Sequence, residues 1–94
     1  MKPLVSDVRL ARPSARDRDA GLLGFVSFLL DGMIRIDGVT VRRTADGRQA
    51  LSFPARRDRD GRDHPYLRPV DDRTRRAIEA QVFASLGLGV VGAG

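Results

Sequence analysis

Ninety-four residues make one small domain at most, short enough that its own core is marginal and association with a second copy is expected. The absence of cysteine removes disulfides, thiolate metal sites and cysteine nucleophiles together, and so small a domain without such staples points to a cytoplasmic address. Seventeen basic residues against twelve acidic give a formal charge of +5, which suits a nucleic-acid partner or another acidic surface.

Residues Val5–Ala11 alternate in character and predict a half-buried strand. From Arg12 to Ala20 the chain is proline, serine and charge pairs, which reads as an exposed, mobile loop. Leu22–Leu30 is apolar on both faces: Leu22, Val26, Phe28 and Leu30 on one, Leu23, Phe25 and Leu29 on the other. A strand of that kind must be covered twice, and only one good helix exists to do so; a homodimer through the sheet is therefore expected. Asp31-Gly32 signals a hairpin turn, and Met33–Val41 a third strand. Within it the apolar positions slip from Ile34 and Ile36 to Val39 and Val41 across Asp37-Gly38, which predicts a bulge or short break. Thr44–Gly47 is the next turn, Arg48–Phe53 the fourth strand, and Pro54 ends it because proline cannot donate to a ladder.

Ala55–Leu67 reads as a loop turning at Asp60-Gly61. Asp71 or Asp72 then caps a helix over Asp72–Leu86, with Ile78, Val82 and Leu86 as its buried stripe and Phe83 at the edge. The spacing turns Arg73 and Arg76 to solvent and brings Arg75 close enough to the stripe to pair with a carboxylate. Residues 1–86 form a single domain on this reading, and Gly87–Gly94 is a glycine-rich tail. The fold class is α+β, a small antiparallel sheet with a C-terminal helix. No stretch has the length of a membrane span.

Catalytic chemistry is poorly represented. His64 is the sole histidine and sits beside Pro65 in a polar loop, where a surface role is far commoner than that of a ligand or base. Asp58–Asp63 resembles a calcium loop only superficially, since its alternate positions are arginine and no acid closes it. No glycine cluster opens a helix after a strand, and Glu79 is the one glutamate. An enzyme, a metal and a cofactor are not expected.

All but one of the basic residues are arginine, and several stand beside aspartates that can neutralise them (Arg16-Asp17-Arg18-Asp19, Asp58-Arg59-Asp60). A concentrated set remains. Arg56, Arg57, Arg59 and Arg62 on the loop, with Arg73, Arg75 and Arg76 at the helix start, can converge as forks for phosphate oxygens or guanine edges. Tyr66 is the one ring placed to stack on a base, which argues against a single-strand stacking platform and for salt-sensitive backbone binding. Asp71-Asp72 keep the helix N-terminus from serving as a free phosphate site.

The order Asp7-Val8-Arg9-Leu10, Phe25-Val26-Ser27-Phe28-Leu29-Leu30-Asp31, Pro54-Ala55-Arg56-Arg57 with Asp60-Gly61, then Arg68-Pro69-Val70 and a helix, resembles the stage V sporulation protein G (SpoVG) family of bacterial septation regulators. The likeness spans residues 5 to 84; the family's His-Pro-Ile stands here as Arg68-Pro69-Val70, and its Phe-Arg-Asp as Asp63-His64-Pro65. It implies a sheet-mediated dimer and a cytoplasmic regulator that binds DNA, and in some members RNA, in septation or sporulation-type control. By position it carries binding to Arg56 and Arg57, and to Arg73, Arg75 and Arg76 on the helix. The competing expectation is a protein-interaction module that docks on an acidic partner of the division machinery.

Overall fold

The chain's apolar periodicity resolves into a four-stranded antiparallel meander backed by one helix, described over residues 2–87 in a computed structural model. The strands are β1 (Val5–Ala11), β2 (Leu22–Leu30), β3 (Ile34–Arg43) and β4 (Gln49–Ser52), each paired to its neighbour in sequence. A second, two-stranded sheet follows, β5 (Ala55–Arg57) with β6 (Asp63–Pro65), and then the helix α2 (Asp72–Ser85). The fold class is α+β, as the residue pattern predicts. Beyond Gly87 the expected tail lies outside the described residues.

Two expected loops contain structure. Within Arg12–Ala20 a short helix, α1 (Ala15–Asp19), forms under a Ser14 cap whose hydroxyl accepts the Asp17 N–H at 3.2 Å; none of its residues is buried. Ser14-x-x-Asp17 is the serine-to-acid spacing of a helix start, outweighed in the sequence by the density of charge around it. Ala55–Leu67 is the other case, and it is a ribbon.

The predicted slip in β3 is a bulge. Val26 pairs with Val39 and Phe28 with Ile36, so β3 spends one extra residue at Asp37-Gly38 and Gly38 takes φ +75°, a conformation that glycine tolerates. The insertion lets both Ile36 and Val39 face the core, which neither strict alternation nor a break would achieve. A matching irregularity interrupts β1, where three residue steps (Ser6 to Arg9) face two on β2 and Asp7 sits at φ +47°. A third lies at the start of β2, between Leu22 and Gly24. It corrects the assigned faces there: Leu23 packs against the core, and Leu22 is buried apart from it.

The core joins Val26, Phe28, Ile36, Val39, Val41 and Leu51 of the sheet to Ile78, Val82 and Phe83 of α2. Phe28, Val39 and Val82 are wholly shielded, each contributing about 1.5–3 kcal/mol by burial. Asp71 is the N-cap, accepting the Thr74 N–H at 2.8 Å, and these bonds to Thr74 hold its carboxyl below the usual range. The face of the sheet turned from α2 has no cover from this chain: Phe25 is 41% exposed and Leu29 half-buried. No helix among the described residues is long and apolar enough to cross a membrane.

Polar side chains of α2 reach both edges of the sheet. At the β1 edge, Gln81 Oε1 accepts the Val5 N–H at 2.8 Å while its Nε2 donates to the Pro3 carbonyl at 2.7 Å. At the β4 edge, Glu79 Oε2 accepts the Leu51 N–H at 2.9 Å and Arg75 donates to the Leu51 carbonyl at 3.1 Å. Each set supplies one acceptor and one donor, as an adjoining strand would. Gln81→Ala is therefore expected to cost about 1–3 kcal/mol, the penalty for an orphaned amide. Denaturant unfolding should show it with an unchanged slope, together with faster hydrogen exchange at Val5; Gln81→Glu, which keeps the acceptor, should restore protection at Val5.

Candidate nucleic-acid interface

The segment read as an arginine-studded loop is a β-ribbon. Ala55 pairs with Pro65, Arg56 with His64 and Arg57 with Asp63, and the Tyr66 N–H extends the ladder to the Pro54 carbonyl at 3.0 Å. Its turn, Asp58 to Arg62, closes with Asp58 N–H on the Arg62 carbonyl at 2.9 Å and places Gly61 at φ +81°. A three-residue hairpin loop ending in a left-handed residue needs such a glycine, so Asp60-Gly61 is the turn signal it was taken to be. The strands around it carry no signal, since Ala-Arg-Arg and Asp-His-Pro have neither apolar alternation nor β-formers.

Asp58 organises the turn. Its Oδ1 accepts the N–H groups of Asp60 and Arg62, both at 2.9 Å, and its Oδ2 lies 2.6 Å from His64 Nε2. The His64 hydrogen bond first, and the two backbone bonds with it, hold the Asp58 carboxyl below the usual range. His64 is thus a strut between β6 and the turn, and Asp58 has little capacity left to neutralise an arginine.

Ion pairing sorts the arginines named in the sequence. Arg57 lies 3.2 Å from Asp63, its cross-strand partner. Arg76 lies 2.5 Å from Asp72, one turn earlier on α2. Arg75 is held by Glu79 at 3.5 Å and by the Leu51 carbonyl, so the expected carboxylate partner is present and the side chain braces the sheet edge. Among the described residues, Arg56, Arg59, Arg62 and Arg73 have no carboxylate at ion-pair distance. Three of those four are on the ribbon.

The ribbon and the helix start do not merge into one basic surface. A groove of about 420 Å³ runs between them, with Ala55, Asp63 and Pro65 on the ribbon side and Asp71 and Asp72 on the helix side. Its three carboxylates separate Arg73 from the ribbon arginines. Arg68, outside the original set, lines this groove and also an apolar cleft of about 310 Å³ formed with Lys2, Phe53, Val70 and Ile78. Only its position after the ribbon, beside Pro69, could have marked it in the sequence.

A second network crosses the uncovered sheet face. Arg35 on β3 donates to Ser27 Oγ on β2 at 2.7 Å and pairs with the Asp7 carboxylate in the β1 bulge, which Arg9 also meets at 3.0 Å. The Arg9 hydrogen bond, reinforced by Arg35, lowers the Asp7 pKa against a small opposing desolvation.

The acid response of the ribbon follows from Asp58. A carboxyl depressed in the folded state stabilises the turn fully above the ordinary value of 3.8 and loses that contribution as pH falls through its lowered value. Exchange protection at the Asp60 and Arg62 amides should accordingly hold down to that value and fade below it; Asp58→Ala should abolish it at every pH while leaving Val5 and Leu51 protected. No protein-family model and no curated protein matches this chain.

Proposed function

We propose that this protein is a nucleic-acid-binding regulator of the SpoVG type, cytoplasmic and dimeric, that contacts its target through the β5–β6 ribbon. One observation carries the reading: Arg56, Arg59 and Arg62 stand together on an exposed ribbon without carboxylate partners, while neighbouring arginines are engaged in internal pairs. Unpaired guanidinium groups fixed on a rigid support lose little freedom on meeting phosphate and offer bidentate geometry to it. The sequence likeness to septation regulators supports the same assignment, including control of division or development. Arg73 is the one helix residue of the original set that stays free to join, from across the acidic groove.

The dimer belongs to this reading. Phe25 and Leu29 give the uncovered sheet face an apolar centre, and a second copy laid on it would shield both. Two ribbons would then be held at a fixed spacing, as paired half-sites on a duplex require.

A protein-docking reading has its own observation. Leu4, Met33, Ile34 and Val70 are all more than half exposed, and Lys2 and Arg68 line the apolar cleft near them, a mixture suited to an acidic, partly apolar peptide. An excess of unrelated DNA separates the two, since it strips a phosphate-based complex and leaves a peptide-based one.

Changing Arg56, Arg59 and Arg62 together to alanine should weaken binding to random duplex DNA and reduce the salt slope by about 2 to 3, close to one unit per lost phosphate contact. Arg57→Ala should change the slope much less, because Asp63 already neutralises that residue. Unchanged slopes in the triple variant, with its circular dichroism intact, would remove the ribbon from the interface. For the dimer, sedimentation should give twice the chain mass at micromolar concentration, and Phe25→Asp should return a folded monomer; a monomeric wild-type protein would exclude it.

A further inference from the structure

The two faces of the β5–β6 ribbon differ in a way that specifies its target. Residues opposite each other in an antiparallel pair share a face, and neighbours along a strand alternate. Ala55, Pro65, Arg57 and Asp63 therefore lie on one face, and the 3.2 Å Arg57–Asp63 ion pair agrees. Three of these four line the groove toward α2, so this face looks inward and its charge is cancelled. The other face carries Arg56 and His64 and, through the Pro54–Tyr66 ladder bond, Tyr66, which is 68% exposed. Arg59 and Arg62 continue it at the turn. Asp58 adds little negative charge to that side, its carboxylate already taken by two backbone N–H groups and His64.

We infer that this ribbon enters the major groove of B-form DNA, turn first, with Arg59 and Arg62 at the base edges and Arg56 and Tyr66 on the flanking backbone. The inference rests on the nucleic-acid reading above and adds to it the form of the target and the groove. Dimensions favour it: two strands about 5 Å apart, with their side chains, match a groove about 12 Å wide, and strands of three residues with a turn reach roughly 10 Å, comparable to its depth. The major groove of A-form RNA is too narrow to admit side chains, and single strands are held by stacked aromatic series, whereas this ribbon has one tyrosine. Arginine forks match the O6 and N7 acceptors of guanine, which only the major groove presents together. The turn is rigid enough to aim them because Asp58 ties both of its ends.

The test uses the full chain and three probes: a mixed-sequence DNA duplex, the same duplex methylated at guanine N7, and the RNA duplex of identical sequence. Fluorescence anisotropy should show binding to the first weakened roughly tenfold or more by N7 methylation, and at least as much by the change to RNA, the discrimination expected when one bidentate guanine contact is lost. A minor-groove ligand such as netropsin should not displace the protein. Arg59→Ala/Arg62→Ala should bind the plain duplex more weakly and be indifferent to methylation. Equal affinity for methylated and plain DNA, equal or tighter binding to duplex or single-stranded RNA, or displacement by netropsin would each overturn the groove assignment while leaving nucleic-acid binding in place. Absence of binding to all probes at low salt would overturn both.

Discussion

The sheet is held between two sets of side-chain bonds that come from a single helix. Gln81 gives β1 the acceptor and donor that a further strand would have given, and Glu79 with Arg75 does the same for Leu51 on β4. In a chain with so small a core, apolar contact alone would leave α2 free to slide over the sheet. Directional bonds at both edges fix its position, and with it the level at which Ile78, Val82 and Phe83 meet Phe28 and Val39. The helix start and the ribbon base are consequently held on either side of one groove.

The same arrangement divides the basic residues by role. Arg75 serves the β4 edge, Arg76 and Arg57 answer nearby aspartates, and Arg35 spans three strands to reach Asp7. What remains unengaged collects where the chain leaves the body. A formal charge of +5 thus says little about where binding occurs until the internal pairs are subtracted; the residue left after subtraction is concentrated on the ribbon.

Much of this was legible in the residues. Two-residue periodicity marked the four main strands, Asp-Gly steps marked turns, and the four-residue spacing of Ile78 and Val82 marked the helix face. The displacement of Val39 and Val41 relative to Ile34 and Ile36 was enough to locate the β3 bulge. Bulges at Asp7 and near Leu23 were hidden because their neighbours keep plausible alternation on either side. The ribbon was hidden for another reason: its strands bury nothing, so no apolar pattern is needed to form them, and backbone pairing with the Asp58 and His64 bonds suffices. The arginines were correctly grouped by sequence distance, but their sorting into engaged and free depends on partners such as Leu51, which no local pattern joins to Arg75.

The bulge at Asp7 has a bearing on how these molecules behave when crowded. An exposed strand edge is a template on which further chains can add, and repetition of that addition leads to fibres. On β4 the outward groups of Leu51 are occupied by α2, and on β1 the first of them is occupied by Gln81. Past that point the left-handed turn of the backbone at Asp7 breaks the regular row of donors and acceptors, and two arginines gathered on its carboxylate place charge at the break. Growth sideways is blocked at one margin and interrupted at the other. Self-association is thereby steered to the flat of the sheet, where it closes after two copies instead of propagating.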